Sequence, residues 1–435
     1  MHNFNIFAHV NENIFKYFIS FLLVLYFYKL YFEFSLPISG DELNSILVYS
    51  SNIKTLFLKN YPHNAVFFHL IGFVKSIFFN FDLNSFRVIS FIFIILHFYI
   101  LKKLNYDELK VTLFFILLLF SNFSLYGGMY IGYIFTSSIF VTIFYLLNNN
   151  QDFNHNKLIF LLLFVQAYNH LVNIYLVIPI LFVMMIVSYK KKFFTEAIVY
   201  FGLPLCFFYS YSIILTGLSA LKISDVSFWS VINYTIKNFE IIIVNGLDVI
   251  FFNSYISDVN KFNLIKLIKD LYFFDKFIFL ILILTFLNIL INLFYKKYLI
   301  FTYILIIHFI LFIILNKQPP PRIFISFFCF YILYSFTLLN YIKYKKFTKY
   351  IRFFCVILLL ILITKFNYQK FHKNSIHNQD VNYKENIISV KLLNEKCDLV
   401  NNNFSEMQKK NYYFNYLNIC NKKFNLSEFL NYYRS

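Results

Sequence analysis

The chain has 435 residues, of which 60% are hydrophobic and 14% charged, against roughly 25% charged in soluble domains. A water-soluble fold could not hide that much apolar surface, so a soluble class is excluded and repeated apolar runs point to a polytopic α-helical membrane protein. Lys and Arg number 39 against 21 Asp and Glu, a net charge of +18, but these cations do not form the basic stripe that nucleic-acid binding needs, and no nucleic-acid partner is expected.

The lysines instead cluster in short breaks between apolar runs: Lys102-Lys103, Lys190-Lys191-Lys192, Lys296-Lys297 and Lys343 to Lys349. Excess Lys and Arg marks cytoplasmic loops, so these breaks set the orientation of the spans between them. The many Phe and Tyr residues follow the codon usage of an AT-rich genome, and no motif is read from their abundance.

In chain order, the polar N-terminus from Met1 to Lys16 lacks a cleavage site, so the run Tyr17 to Phe34 is read as a retained span. The stretch Ser35 to Phe86 then lies outside. It contains an apolar piece, Val66 to Phe79, too short to span and read as a helix lying in or dipping into the interface.

Arg87 to Leu101 runs inward, Val111 to Phe123 outward and Ile131 to Leu147 inward. Leu158 to Tyr189 is too long for one span, and its middle carries Gln166, Asn169, His170 and Asn173, so it reads as a tight hairpin with a polar tip outside. Phe194 to Leu215 leads to a long outer segment, Thr216 to Lys276. The runs Phe277 to Leu293, Leu299 to Leu315, Ile323 to Tyr341 and Phe353 to Thr364 bring the total to about eleven spans.

Residues 1–364 thus form the membrane domain, with residues 35–86 as first outer loop and residues 216–276 as second outer segment. Residues 365–435 form a small extracytoplasmic tail or cap. Cys206, Cys329 and Cys355 read as packing residues. Cys397 and Cys420 lie in the tail, where a disulfide between them and two free thiols are equally compatible with the sequence.

The most informative feature is the acidic pair Asp41-Glu42, in Ser39-Gly40-Asp41-Glu42 just after the first run. Adjacent carboxylates beside a bilayer point to chemistry before stability, although the same pair could cap the helix that begins at Leu43. Downstream come Pro62-His63-Asn64, then Phe81 to Ser90 with Arg87 at its centre. The aromatic loop Tyr126 to Tyr133 contains Tyr130, and Pro319-Pro320-Pro321-Arg322 follows Lys317.

In that order, spacing and sidedness these segments resemble the GT-C membrane glycosyltransferases, in particular glycosyltransferase family 39, which includes protein O-mannosyltransferases and the aminoarabinose transferase of lipid A. The segment Pro62-His63-Asn64 is similar to the family's NHPLY segment, and Arg87 and Arg322 stand where members carry arginines. The loop Gly127-Gly128-Met129-Tyr130 departs from the pattern in having neither acid nor Arg.

The resemblance implies an all-α, GT-C-like fold in a cell-envelope membrane, the inner membrane of a bacterium, with its site facing the periplasm. It implies a polyprenyl-phosphate sugar as donor and a lipid, glycan or protein as acceptor. Glycosyl transfer needs a base for the acceptor hydroxyl and cations for the departing phosphate. Asp41 is the candidate base and Glu42 its orienting or acceptor-binding neighbour. His63, Asn64, Arg87, Tyr130, His170, Lys317 and Arg322 are the candidate substrate contacts. For all of these but Asn64 there is a plainer role: Arg87, Lys317 and Arg322 as headgroup anchors, the histidines as hydrogen-bonders and Tyr130 in the aromatic belt.

The pair Asp41-Glu42 is a thin ligand set for a divalent cation, so a metal is permitted but not required. Two rival functions stand beside this one. A transporter or flippase for a lipid-linked glycan would carry its ionisable residues within the spans. An O-antigen polymerase or ligase would carry Arg and His in a large late outer loop, and Thr216 to Lys276 has neither.

Overall fold

The computed structural model describes residues 65–78, 83–106, 108–127, 132–149, 155–170, 173–188, 191–208, 263–314 and 321–340, together with Val24, Ser45, Ser50, Leu56 and Tyr130. The segments 17–34, 353–364 and 365–435, with their spans and cysteines, lie outside the described residues apart from Val24.

Among the described residues all regular structure is helical and there is no strand. The helices are α1 (Val66–Phe78), α2 (Leu83–Lys103), α3 (Glu108–Phe120), α4 (Asn122–Gly127), α5 (Tyr133–Asn148), α6 (Asn156–Asn169), α7 (Ile174–Ser188) and α8 (Lys191–Ala197). They continue with α9 (Leu264–Phe274), α10 (Lys276–Tyr295), α11 (Leu299–Ile314) and α12 (Phe324–Ser335). A π-helical turn, Ile198–Gly202, continues α8, and short 3₁₀ turns flank α12 at Pro321–Ile323 and Phe336–Asn340.

Among the described residues two helical stretches are long and apolar enough to cross a membrane, Lys276–Tyr295 and Pro321–Leu338. The apolar helices α1, α5, α7 and α11 are shorter. The segment Leu158 to Tyr189 breaks at its polar middle, where α6 ends at Asn169 and α7 begins at Ile174.

The centre of the bundle is α5 against α12, with α2 on α5, α10 on α12, and α7 on α11. Every residue of α12 is buried. The outer helices are apolar on their exposed faces as well as in the core. On α10 the buried face mixes Ile278, Ile281, Leu282 and Ile289 with Thr285, Asn288 and Asn292, while Leu280, Ile283, Leu287, Leu290 and Phe294 are exposed. On α2, His97 and Ser90 are buried, and Val88, Ile92, Ile95 and Tyr99 form an exposed stripe.

Buried amides on α10 are satisfied across helices. Asn288 Nδ2 donates to the Tyr334 carbonyl at 2.6 Å and to Thr337 Oγ1 at 2.8 Å. Asn292 Nδ2 donates to Asn288 Oδ1 at 2.9 Å and the Tyr334 hydroxyl at 3.1 Å. That hydroxyl also meets Thr302 Oγ1 of α11 at 2.8 Å. Side-chain bonds of this kind join helices where solvent supplies no partner.

The two ends of the bundle differ. At one, Lys102 and Lys103 end α2 and Lys296 and Lys297 follow α10, all of them exposed. Tyr106 and Tyr298, just beyond these pairs, interact, and burial followed by that interaction raises the Tyr106 phenol above its ordinary value. Tyr106 also packs edge-on against Phe336, beyond α12, at 6.0 Å. At the other end lie the starts of α4, α10 and α12. Cys329 is fully buried, as a packing residue should be, but Cys206 is exposed. The turn of helix that carries Cys206 presents it away from its neighbours, which corrects its reading as a packing residue.

Candidate functional site

Helix α1 forms where an apolar run of 13 residues begins after Ala65, and it is held at both ends by other segments. Its first N–H groups have no partner within the helix. Asn169, the last residue of α6, supplies one: its Oδ1 accepts from Phe67 N–H at 3.1 Å and Phe68 N–H at 3.4 Å. The same side chain donates to Thr136 Oγ1 of α5 at 3.3 Å. Beside it, Gln166 Nε2 donates to the Thr136 carbonyl at 2.6 Å. Asn173 Nδ2 donates to the Gln166 carbonyl and Oε1 at 3.0 and 2.7 Å. The polar tip of the α6–α7 hairpin is therefore a buried socket for the start of α1.

Tyr130 holds the middle of α1. It is fully buried, stacked on Phe68 at 4.6 Å and edge-on to Phe86 at 5.0 Å. Its hydroxyl is 2.8 Å from Ser50 Oγ, and Ser50 Oγ in turn donates to the Ser45 carbonyl at 2.9 Å. The Tyr130 hydroxyl also donates to the Phe68 carbonyl at 3.4 Å, and between Tyr130 and Ser50 either hydroxyl can be the donor. Burial pushes the Tyr130 phenol well above its ordinary value, with the bonds to Ser50 and the Gly72 backbone opposing. It is a neutral donor at physiological pH.

Ser76 Oγ donates to the Phe73 carbonyl of its own helix at 2.7 Å and shares that proton with the Ser50 carbonyl at 3.2 Å. Gly72 permits the approach of Tyr130: an ideal Cβ there would stand 2.7 Å from Tyr130 Cζ and 2.8 Å from Ser50 Oγ.

Of the residues singled out in the sequence, Asp41, Glu42, His63, Asn64, Lys317, Cys397 and Cys420 lie outside the described residues. Arg87 is fully buried in the first turns of α2, beside Phe86, over whose ring Lys75 of α1 places its ammonium at 4.0 Å. His170 caps the end of α6, its ring 6.1 Å from that of Tyr133. Tyr133 meets Tyr126 edge-on at 5.4 Å. Arg322 is half-buried in the 3₁₀ turn that opens α12, and α9 packs on that turn.

Among the described residues no group of three or more His, Cys, Asp or Glu could hold a metal ion.

A further corner of the bundle, not among the residues that the sequence singles out, is built on Asp275. This buried carboxylate caps α10, with Oδ1 accepting from Phe277 N–H at 2.7 Å and Ile278 N–H at 3.1 Å. Its Oδ2 accepts from Asn122 N–H at the start of α4, and Asn122 Nδ2 donates to the Phe274 carbonyl at 2.7 Å. The local signal was present: an Asp directly before a long apolar run is an N-cap pattern. Nothing local pointed to Asn122. Comparison with family models, with curated proteins and with solved structures finds no match for this chain.

Proposed function

We propose that the chain is a polytopic membrane glycosyltransferase of GT-C type, moving a sugar from a polyprenyl-phosphate donor to a lipid, glycan or protein acceptor on the extracytoplasmic face. The membrane part is supported by helices whose exposed faces are apolar, Leu280, Ile283, Leu287 and Leu290 on α10 among them, while their amides and hydroxyls lie buried. That is the polarity expected where the surrounding solvent is hydrocarbon. The bundle end that gathers Lys102, Lys103, Lys296 and Lys297 fits the cytoplasmic side, and the remaining spans of the eleven belong to this proposal.

The observation that carries the enzymatic part is the convergence on Tyr130. Its ring and hydroxyl touch Ser50 from the segment after Asp41-Glu42, Phe68 and Gly72 from the helix after Pro62-His63-Asn64, and Phe86 beside Arg87. Tyr130 itself comes from the aromatic loop. Four segments that the family resemblance sets in sequence order are thus gathered at one end of the bundle.

In the reaction, the Asp41 carboxylate takes the proton of the acceptor hydroxyl as its oxygen bonds to the anomeric carbon. The bond from that carbon to the phosphate oxygen breaks, and polyprenyl phosphate leaves with its negative charge met by Arg322 and Lys317. Glu42 orients Asp41 or the acceptor. A flippase would instead work through ionisable groups deep in the bundle, and the buried His308 and Tyr331 invite that reading. Their bonds, however, have a structural cause in Pro179, whose missing N–H leaves the Tyr175 carbonyl to His308.

The test is sugar transfer from a polyprenyl-phosphate donor by purified Asp41→Asn protein. Loss of a general base typically costs ~10²–10⁴ in rate. Wild-type turnover by the variant would remove Asp41 from the mechanism. Outside-only labelling of a cysteine at position 42 would support the orientation, and cytoplasm-only labelling would end it.

A further inference from the structure

Helix α9 has three different sides. Leu267 and Leu271 are buried against the body of the protein. Leu264, Ile268 and Tyr272 recur every fourth residue on a second side and are 55%, 42% and 43% exposed. Ile265, 67% exposed, extends that second side, and the third side carries the exposed Lys266 and Lys269 with Phe273 between them, 82% exposed, and Asp270 half-buried at its edge.

The position of this helix is set by its ends. Asn263 caps its start, Oδ1 accepting from Lys266 N–H at 3.0 Å. At its other end Asp275 alone, extended at φ −160° and ψ 111°, separates it from α10. The carboxylate of Asp275 and the amide of Asn122 fasten that corner to the start of α4. The chain therefore turns between α9 and the next helix, which is long and apolar enough to cross a bilayer.

We infer that α9 is an interfacial helix lying in the headgroup layer of the bilayer at the N-terminal end of α10, with its apolar side on the acyl chains and Lys266 and Lys269 on anionic lipid phosphates. The inference rests on the membrane reading above. A helix joined by one residue to the mouth of a span sits at the boundary. Its Tyr272 meets Phe279 of α10 edge-on at 5.6 Å, and Leu280 and Ile283 of that helix are exposed. Two lysines beside that side match the negative charge at headgroup depth, as in other amphipathic helices that lie on membranes. The corner also has a consequence for the proposed site, because α9 packs on the turn that holds Arg322: an interfacial α9 brings that turn to headgroup level.

The full chain in nanodiscs provides the test, using phosphatidylcholine with a diazirine near the carbonyl end of its acyl chain, alone or mixed with phosphatidylglycerol. Peptide mapping should find adducts on Leu264, Ile268 and Tyr272 together with those on Leu280 and Ile283, and none on Leu267 or Leu271. Adducts on α10 without any on α9 would overturn the inference and leave the membrane reading intact. Absence from both helices would overturn both. In a Lys266→Glu/Lys269→Glu variant the enrichment of phosphatidylglycerol around α9 should fall, by about fivefold per lysine, with α10 labelling unchanged. Unchanged enrichment would overturn the lipid-phosphate contacts.

Discussion

His308 donates a hydrogen bond to the carbonyl of Tyr175 across 2.6 Å, and that carbonyl is the one Pro179 leaves without a partner in α7. In a regular helix the carbonyl of residue 175 would accept from the N–H of residue 179, which proline lacks. The imidazole of α11 fills the gap. Since a carbonyl only accepts, the proton sits on Nδ1, and Nε2 accepts from the Tyr331 hydroxyl of α12 at 2.6 Å. One side chain thus joins three helices and repairs the helix that the proline interrupts.

His308→Phe, which keeps an aromatic ring and removes both bonds, should destabilise the protein by about 1–2 kcal/mol, the size of two interhelical side-chain bonds. In a Pro179→Ala background the loss should be smaller, because the restored N–H of residue 179 serves the Tyr175 carbonyl. Unfolding in detergent of the four proteins of this cycle is the measurement. Equal losses in both backgrounds would mean that the proline and the histidine are energetically independent.

Asn169→Ala should free the start of α1. Loss of an N-capping side chain costs about 1 kcal/mol, and here the cap comes from another helix, so the effect is felt at two places. Amide exchange should speed at Phe67 and Phe68, whose N–H groups Asn169 accepts from. Asn169→Asp keeps the accepting oxygen and should keep those amides protected, while losing the donor to Thr136. Unchanged exchange in Asn169→Ala would show that α1 does not depend on this socket.

Much of the helical pattern was legible in the residues. Val66 to Phe79 and Leu299 to Leu315 were read as apolar units, and the helices run Val66–Phe78 and Leu299–Ile314. Apolar runs end where polar residues or lysines begin, and that signal is local. The break between α6 and α7 was legible for the same reason, since four polar residues interrupt a run too long to be one span. The fastenings were not legible. Asn122 and Asp275 are 153 positions apart, and His308 meets a backbone carbonyl, which any residue could offer. Helix α9 lies within Thr216 to Lys276, expected as one undivided segment, although Asn263, Leu264, Leu267, Ile268 and Leu271 carry a cap and a helical period. Of the candidate site, the convergence on Tyr130 escaped because it depends on a buried hydroxyl meeting Ser50 and on the missing side chain of Gly72.

Gly72→Ala tests that convergence. The added methyl would fall against the ring and hydroxyl of Tyr130 and against Ser50 Oγ, and Tyr130 has no room to move because it is fully buried. Overpacking of this kind costs about 1–3 kcal/mol. Tyr130→Phe removes the oxygen nearest the new methyl, so the double variant should be more stable than Gly72→Ala alone. Thermal unfolding of the single and double variants decides. No loss in Gly72→Ala would show that α1 can shift away from the aromatic loop.

Arg322 carries the prediction that reaches furthest into the proposed reaction. It sits in a 3₁₀ turn after Pro321, at the end of the bundle that also holds Asp275 and Asn122, and it is half-buried against α9. A guanidinium serving only as a headgroup anchor would be replaceable by any long cation. One that binds the donor phosphate uses two parallel N–H groups on two oxygens, a geometry an ammonium lacks. Arg322→Ala should therefore weaken donor binding more than acceptor binding, and Arg322→Lys should restore only part of it. Titration of purified variants with polyprenyl-phosphate sugar and, separately, with acceptor makes the distinction. Donor affinity unchanged in Arg322→Ala would reduce this arginine to a lipid anchor and remove it from the mechanism.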